Sequence, residues 1–159
     1  MAYLLFPGRH VVNTRFQETC LLEALGRPVA DLATLGGRPG LAARMAPLTE
    51  VVYAVTSSNQ SHSRYNPIPF HVRAVGVDRF ARGIKDALGF RYRIVGVPHY
   101  DRTDRFVEHV LKEVAEDTED DLCLTRENTV VVCSTPGLIE AWIGRGFLVL
   151  PFEYAGRPG

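Results

Sequence analysis

Apolar residues recur along this chain in short unbroken runs, separated by stretches whose apolar positions follow a helical stripe. Met1-Ala2-Tyr3-Leu4-Leu5-Phe6 reads as a first strand, and Val51-Val52-Tyr53-Ala54-Val55 as one buried on both faces, as in a parallel sheet. Tyr92–Val97, Thr129–Cys133 and Phe147–Leu150 continue the series. Between the first two, Phe16, Cys20, Leu21 and Ala24 share one face of a helix over Thr14–Leu25, with Asn13 or Thr14 as its cap and Gly26 with Pro28 as its stop. A second helix begins near Pro67 and Pro69, runs through Phe80 to Leu88 and ends near Gly89. A third covers Arg105–Glu116, with Phe106, Val107, Val110, Leu111 and Val114 inward, and a short fourth covers Pro136–Ile143, with proline at a favoured first position.

Residues Arg27–Pro47 break the pattern. Gly36-Gly37-Arg38-Pro39-Gly40 lies between two leucine- and alanine-rich pieces, which predicts a surface insertion made of a loop with a short helix on either side. No hydrophobic strand feeds the glycines and no lysine follows them, so a phosphate loop is the weaker reading. Strands alternating with helices imply a parallel sheet covered on both faces. The expected fold is α/β: a Rossmann-like three-layer α/β/α sandwich with a five-stranded, mainly parallel sheet over residues 1–152, followed by a tail or linker at 153–159.

Composition narrows the partners. The 159 residues suit one domain with a core of its own, and eighteen basic against eighteen acidic side chains leave no general attraction to nucleic acid or anionic membrane. Cys20, Cys123 and Cys133 are odd in number, widely spaced and set in apolar or amphipathic runs, the pattern of reduced, packed thiols rather than of a disulfide frame or zinc site. The first residues lack a basic leader and a small-residue cleavage site, and no apolar run approaches the roughly 20 residues that span a bilayer, so the expected setting is cytoplasmic. The acidic run Glu116–Asp121 reads as a solvated helix end, and no metal site is expected.

The chemistry concentrates in Ser57–Arg73, which follows directly on the doubly buried strand. Open α/β sheets bind ligands at the carboxyl ends of their strands, and the start of the helix that follows this loop favours anions. Gln60, His62, Asn66 and Arg73 add donors there, so phosphate or a nucleotide is the expected guest. Taken singly, Arg73 also reads as a surface partner for Asp78 or Glu50, and Asp101 as a helix cap together with Thr103.

The order of these segments resembles the nucleotidyltransferase superfamily, in particular the archaeal-type nicotinamide-mononucleotide adenylyltransferases. Members open with an apolar strand, a Gly-Arg pair and an (H/T)xGH motif at a helix start. Here Gly8-Arg9 stand in place and Thr14-Arg15-Phe16-Gln17 falls at the motif's spacing. The family's second strand leads to Ser-Ala-Gln, Ser-His, Asn-Pro-Phe and an arginine; Ser58-Asn59-Gln60, Ser61-His62, Asn66-Pro67 and Arg73 occur in that order. Pro98-His99-Tyr100-Asp101 matches a Pro-x-x-Asp after the third strand, and Gly146-Phe147-Leu148-Val149 matches a Gly-Phe-x-Val strand.

The resemblance implies transfer of a nucleotidyl group from ATP or CTP to a phosphorylated acceptor such as nicotinamide mononucleotide, with release of pyrophosphate. It implies catalytic roles for Thr14 and Gln17, nucleotide contacts at Phe6, Gly8, Arg9, His10 and Ser134, and acceptor contacts at Ser58, Gln60, Asn66, Arg73 and Asp101. Mg²⁺ would arrive with the nucleotide; a homo-oligomer or a fused further domain is compatible with it. Phe16 and Gln17 depart from the motif's glycine and final histidine, and the family's ISTxxR-like segment is not found after the fifth strand. Neutral glutamine offers a hydrogen bond but no charge to a transferring phosphate, so a catalytically silent nucleotide-binding or regulatory domain is the alternative reading. A doubly wound domain with another chemistry is the third.

Overall fold

The computed structural model describes residues 2–8, 15–56, 69–98, 105–119 and 121–151. Strands β1 (Ala2–Gly8), β2 (Leu35–Gly36), β3 (Leu48–Thr56), β4 (Arg91–Val97), β5 (Thr129–Val132) and β6 (Leu148–Leu150) form one mixed, mostly parallel sheet. Helices α1 (Arg15–Ala24), α2 (Leu41–Arg44), α3 (Phe70–Leu88), α4 (Phe106–Asp117) and α5 (Pro136–Gly144) connect them, with a 3-10 turn at Val29–Asp31.

The spatial order is β2-β6-β5-β1-β3-β4. Every neighbouring pair is parallel except β2 with β6. Without the edge strand β2, the order runs outward from β1 through β3 and β4 on one side and through β5 and β6 on the other, which is compatible with a Rossmann-like sheet.

Alternation along the strands sends side chains to two separate cores. Leu4, Phe6, Val51, Tyr53, Val55, Val130 and Val132 pack with α1 and α3 on one face; Leu5, Val52, Ala54, Val95, Val131 and Val149 pack with α4 and α5 on the other. That is why β3 shows no polar alternation over Val51–Val55: both of its faces are covered. Trp142, fully buried on α5, meets Phe147 edge-on at 5.2 Å and Phe106 at 6.5 Å, and so fastens α5 to the second face.

The sheet has a sixth strand in place of the expected five; the segment between α1 and β3 has the expected short helix on either side of its glycines, Val29–Asp31 and Leu41–Arg44, but it is tied into the sheet and core rather than only laid on the surface. Leu35 and Gly36 pair antiparallel with Val149 and Leu148. Val29, Leu41 and Met45 are buried in the same core as Val130, Val132 and Leu148. The glycines are there for contact. Gly36 and Gly37 both have φ of +76°, and a Cβ on Gly37 would lie 2.6 Å from Leu148 Cδ2, while one on Gly36 would lie 2.8 Å from Ile143 Cγ1. Only a residue without a side chain lets this backbone lie against β6 and α5.

Cys133 is buried and Cys20 half-buried, but Cys123 is exposed rather than packed. Leu122 and Leu124 turn inward on either side of it, which leaves Cys123 facing solvent.

Candidate functional site

All parallel strands end on one edge of the sheet, and the chain leaves β1, β3 and β4 there for the segments 9–14, 57–68 and 99–104. Arg9, His10, Thr14, Ser58, Gln60, Asn66 and Asp101 lie in those segments, outside the described residues. The described ends of β4, β3 and β1, from which these segments leave, belong to adjacent strands. The tail expected at 153–159 is likewise outside them.

The remaining candidates are described. Gly8 closes β1, and Ser134 follows the end of β5, the strand paired with β1 on its other side. The crossing of the chain from one half of the sheet to the other falls between these two strands, so Gly8 and Ser134 stand at the place where doubly wound sheets bind ligands. Ser134 is exposed and is followed by Thr135, whose carbonyl accepts from the amides of Leu138 and Ile139 in the first turn of α5. Phe6 is buried, its ring centroid 6.0 Å from that of Tyr53, so its side chain belongs to the core. Gln17 is half-buried in the first turn of α1.

Arg73 departs most from its surface reading. It lies in the first turn of α3, is 2% exposed, and its Nη1 donates to the carbonyl oxygen of Thr56, the last residue of β3, at 2.7 Å. It is the only buried basic side chain among the described residues. The carboxylates suggested as surface partners are engaged elsewhere. Asp78 accepts from Tyr92 Oη at 2.7 Å and pairs with Arg82 at 2.9 Å, and Glu50 lies 3.2 Å from Arg93 Nε. The bond to Asp78 holds the Tyr92 hydroxyl above its ordinary pKa, with burial adding to the effect.

A second strap repeats the geometry one strand along. His109 Nε2, in the first turn and a half of α4, lies 2.7 Å from the carbonyl oxygen of Pro98, which follows β4. A carbonyl only accepts, so this contact places the ring proton on Nε2. Arg73 and His109 thus fix the bases of consecutive strand-to-helix connections. Sequence patterning does not single out His109; its only signal is a polar residue between the buried Val107 and Val110.

Cys133, next to Ser134, is no nucleophile. Burial pushes its thiol pKa up, more than the Thr135 carbonyl contact offsets, so it stays protonated at neutral pH. Tyr53, at the centre of a ring cluster with Phe6, Phe80 and Tyr92, is raised well above the usual tyrosine range by burial and by Tyr92. Among the described residues no group of three or more His, Cys, Asp or Glu is placed to hold a metal ion, and no helix is long and apolar enough to cross a membrane. Neither a protein-family model nor a curated protein matches the chain.

Proposed function

We propose that the chain is a Rossmann-like three-layer sandwich of nucleotidyltransferase type, binding a magnesium nucleoside triphosphate and a small phosphorylated acceptor across the carboxyl edge of its sheet. The observation that carries this reading is the strand order around β1, with Gly8 and Ser134 at the ends of the paired strands β1 and β5 where the chain changes direction. The buried Arg73 beside the end of β3 adds a fixed positive charge to the same edge.

In this proposal an acceptor phosphate oxygen attacks the α-phosphorus of the triphosphate. The bond from that phosphorus to the bridging oxygen breaks, and pyrophosphate leaves with the bond's electron pair. Nothing on the protein is covalently modified, so its contribution is positioning and charge neutralisation. Gly8 allows the backbone to approach the nucleotide, Thr14 and Gln17 donate to its phosphates, and Asn66, Arg73 and Asp101 orient the acceptor. Three cysteines present as free thiols suit a reducing, cytoplasmic setting.

A specific observation favours the silent alternative: Gln17, not histidine, occupies the described first turn of α1. Pyrophosphate release with Mg²⁺ at neutral pH, offering ATP and then CTP against nicotinamide mononucleotide and a panel of phosphate esters, separates the two. Product formation is the expected result. Saturable nucleotide binding in calorimetry without product assigns the chain to the binding-only class, and neither binding nor product removes the nucleotide reading.

A further inference from the structure

The opposite edge of the sheet carries a cleft of about 410 Å³. Its lining comes from the residues that follow α1, from α2 and the residues after it, from the start of β3 and from the residue before β4: Arg27, Val29, Ala43, Met45, Leu48 and Phe90 define it. Val29, Met45 and Leu48 are buried core members, so the floor is apolar, and Phe90 packs against the same core. Clefts of a few hundred Å³ with apolar walls and a few polar groups are the usual form of small-molecule sites.

The charge of the lining is one-sided. Arg27 is its only ionisable side chain, and no aspartate or glutamate contributes. Arg27 is exposed and forms no ion pair or hydrogen bond with any described residue. Ala42, Ala43 and Pro47 add only short side chains to the lining. A cation would meet like charge here and a bulky polar molecule would lose its hydration against Met45 and Phe90.

We propose that this cleft binds a small organic monoanion with a flat apolar body, its rings between Met45 and Phe90 and its carboxylate or sulfonate on Arg27. The site is separate from the carboxyl edge and does not depend on the nucleotide reading.

Anilinonaphthalene sulfonate is a probe of this shape and charge, and N-phenylnaphthylamine is its neutral counterpart. Fluorescence titration of the full chain below its unfolding transition is expected to give saturable binding of one sulfonate dye per chain, not displaced by MgATP. Arg27→Gln should weaken the sulfonate dye roughly tenfold, the scale of one charge-assisted hydrogen bond, and leave the neutral dye unchanged. Ala43→Trp, at an exposed position in the lining, should abolish both while the unfolding midpoint stays at the parent value. Dye binding that appears only as the protein unfolds overturns the proposal. So does a sulfonate affinity that Arg27→Gln leaves unchanged, and so does undiminished binding to Ala43→Trp.

Discussion

The two edges of this sheet are built on different terms. At the carboxyl edge β1, β3 and β4 hand over to polar segments, and polar side chains tie the next helix to the strand just left: the buried Arg73 to Thr56, and the half-buried His109 to Pro98. At the amino edge the turn from α3 to β4 is short, closed by Gly89 with φ of +78°, whose amide donates to Lys85 O at 2.6 Å. The cleft there has mostly apolar walls and its one lining charge, Arg27, is left to solvent, while nearby the buried Glu50, early in β3, pairs with Arg93. A parallel sheet imposes this asymmetry, since each strand must be followed by a helix that brings the chain back to the amino edge. One edge then holds the buried charge of Arg73, while the other holds a cleft with mostly apolar walls.

The sharpest way to break the comparison is at Arg73. Arg73→Ala leaves the Thr56 carbonyl without its donor and a void in the core, so unfolding in urea should show a loss of about 3 kcal/mol. Arg73→Lys keeps the charge but not the planar fork, and about half that loss is expected. A loss for the alanine variant no larger than that of an ordinary surface change would mean that the strap does not hold α3 to β3.

Glycines sharpen the picture at the other end of the scale of contact. Gly37→Ala meets both a positive φ and Leu148, and should cost about 2 kcal/mol in the same assay. Gly26→Ala has φ of +89° but nothing within 4 Å of the added Cβ, so about 1 kcal/mol from backbone strain alone is expected. Equal losses at the two positions would show that the approach to Leu148 is not tight.

Much of this was legible before any coordinates, and what was not has a physical reason. Runs such as Val51–Val55 and stripes such as Val107, Val110 and Val114 follow from burial, which leaves its period in the sequence. β2 leaves no period: it is two residues long, one of them glycine, and is held by backbone pairing with β6. The buried state of Arg73 was hidden as well, because an arginine early in an amphipathic helix reads as surface, and its partner is a backbone carbonyl that no residue type advertises. Cys123 misled for the opposite reason, an outward position between two inward leucines. Of the residues whose order suggested a common edge, Gly8 and Arg73 are described, at the end of β1 and beside the end of β3, and Ser58, Asn66 and Asp101 lie outside the described residues.

His109 offers a smaller test of the carboxyl-edge straps. His109→Leu should lose about 1 kcal/mol, and His109→Gln, whose amide nitrogen can donate to the same carbonyl, should recover most of it. Indifference to both would mark the contact as incidental.

The smallest expected effect belongs to neither edge. Arg145 Nε donates to Glu108 Oε1 at 2.5 Å and lowers that carboxyl's pKa below its ordinary value. A depressed folded-state pKa contributes stability above the unfolded value and loses it as pH falls through the folded one. Glu108 is exposed and Arg145 half-buried, so solvent screens the pair and Glu108→Gln should change stability by less than about 1 kcal/mol near neutral pH, and the difference from the parent should vanish on acidification below the carboxylate range. A difference that grows toward acid would reverse the sign and contradict the assignment.

The central claim, that nucleotide chemistry belongs to the carboxyl edge, is tested most directly by amide chemical-shift mapping of the labelled chain titrated with MgATP. The account predicts saturable shifts at Gly8, Thr56, Arg73 and Ser134, with Ala30, Leu48 and Phe90 unmoved. Shifts centred on the amino-edge residues, or none at either edge at millimolar nucleotide, would contradict it.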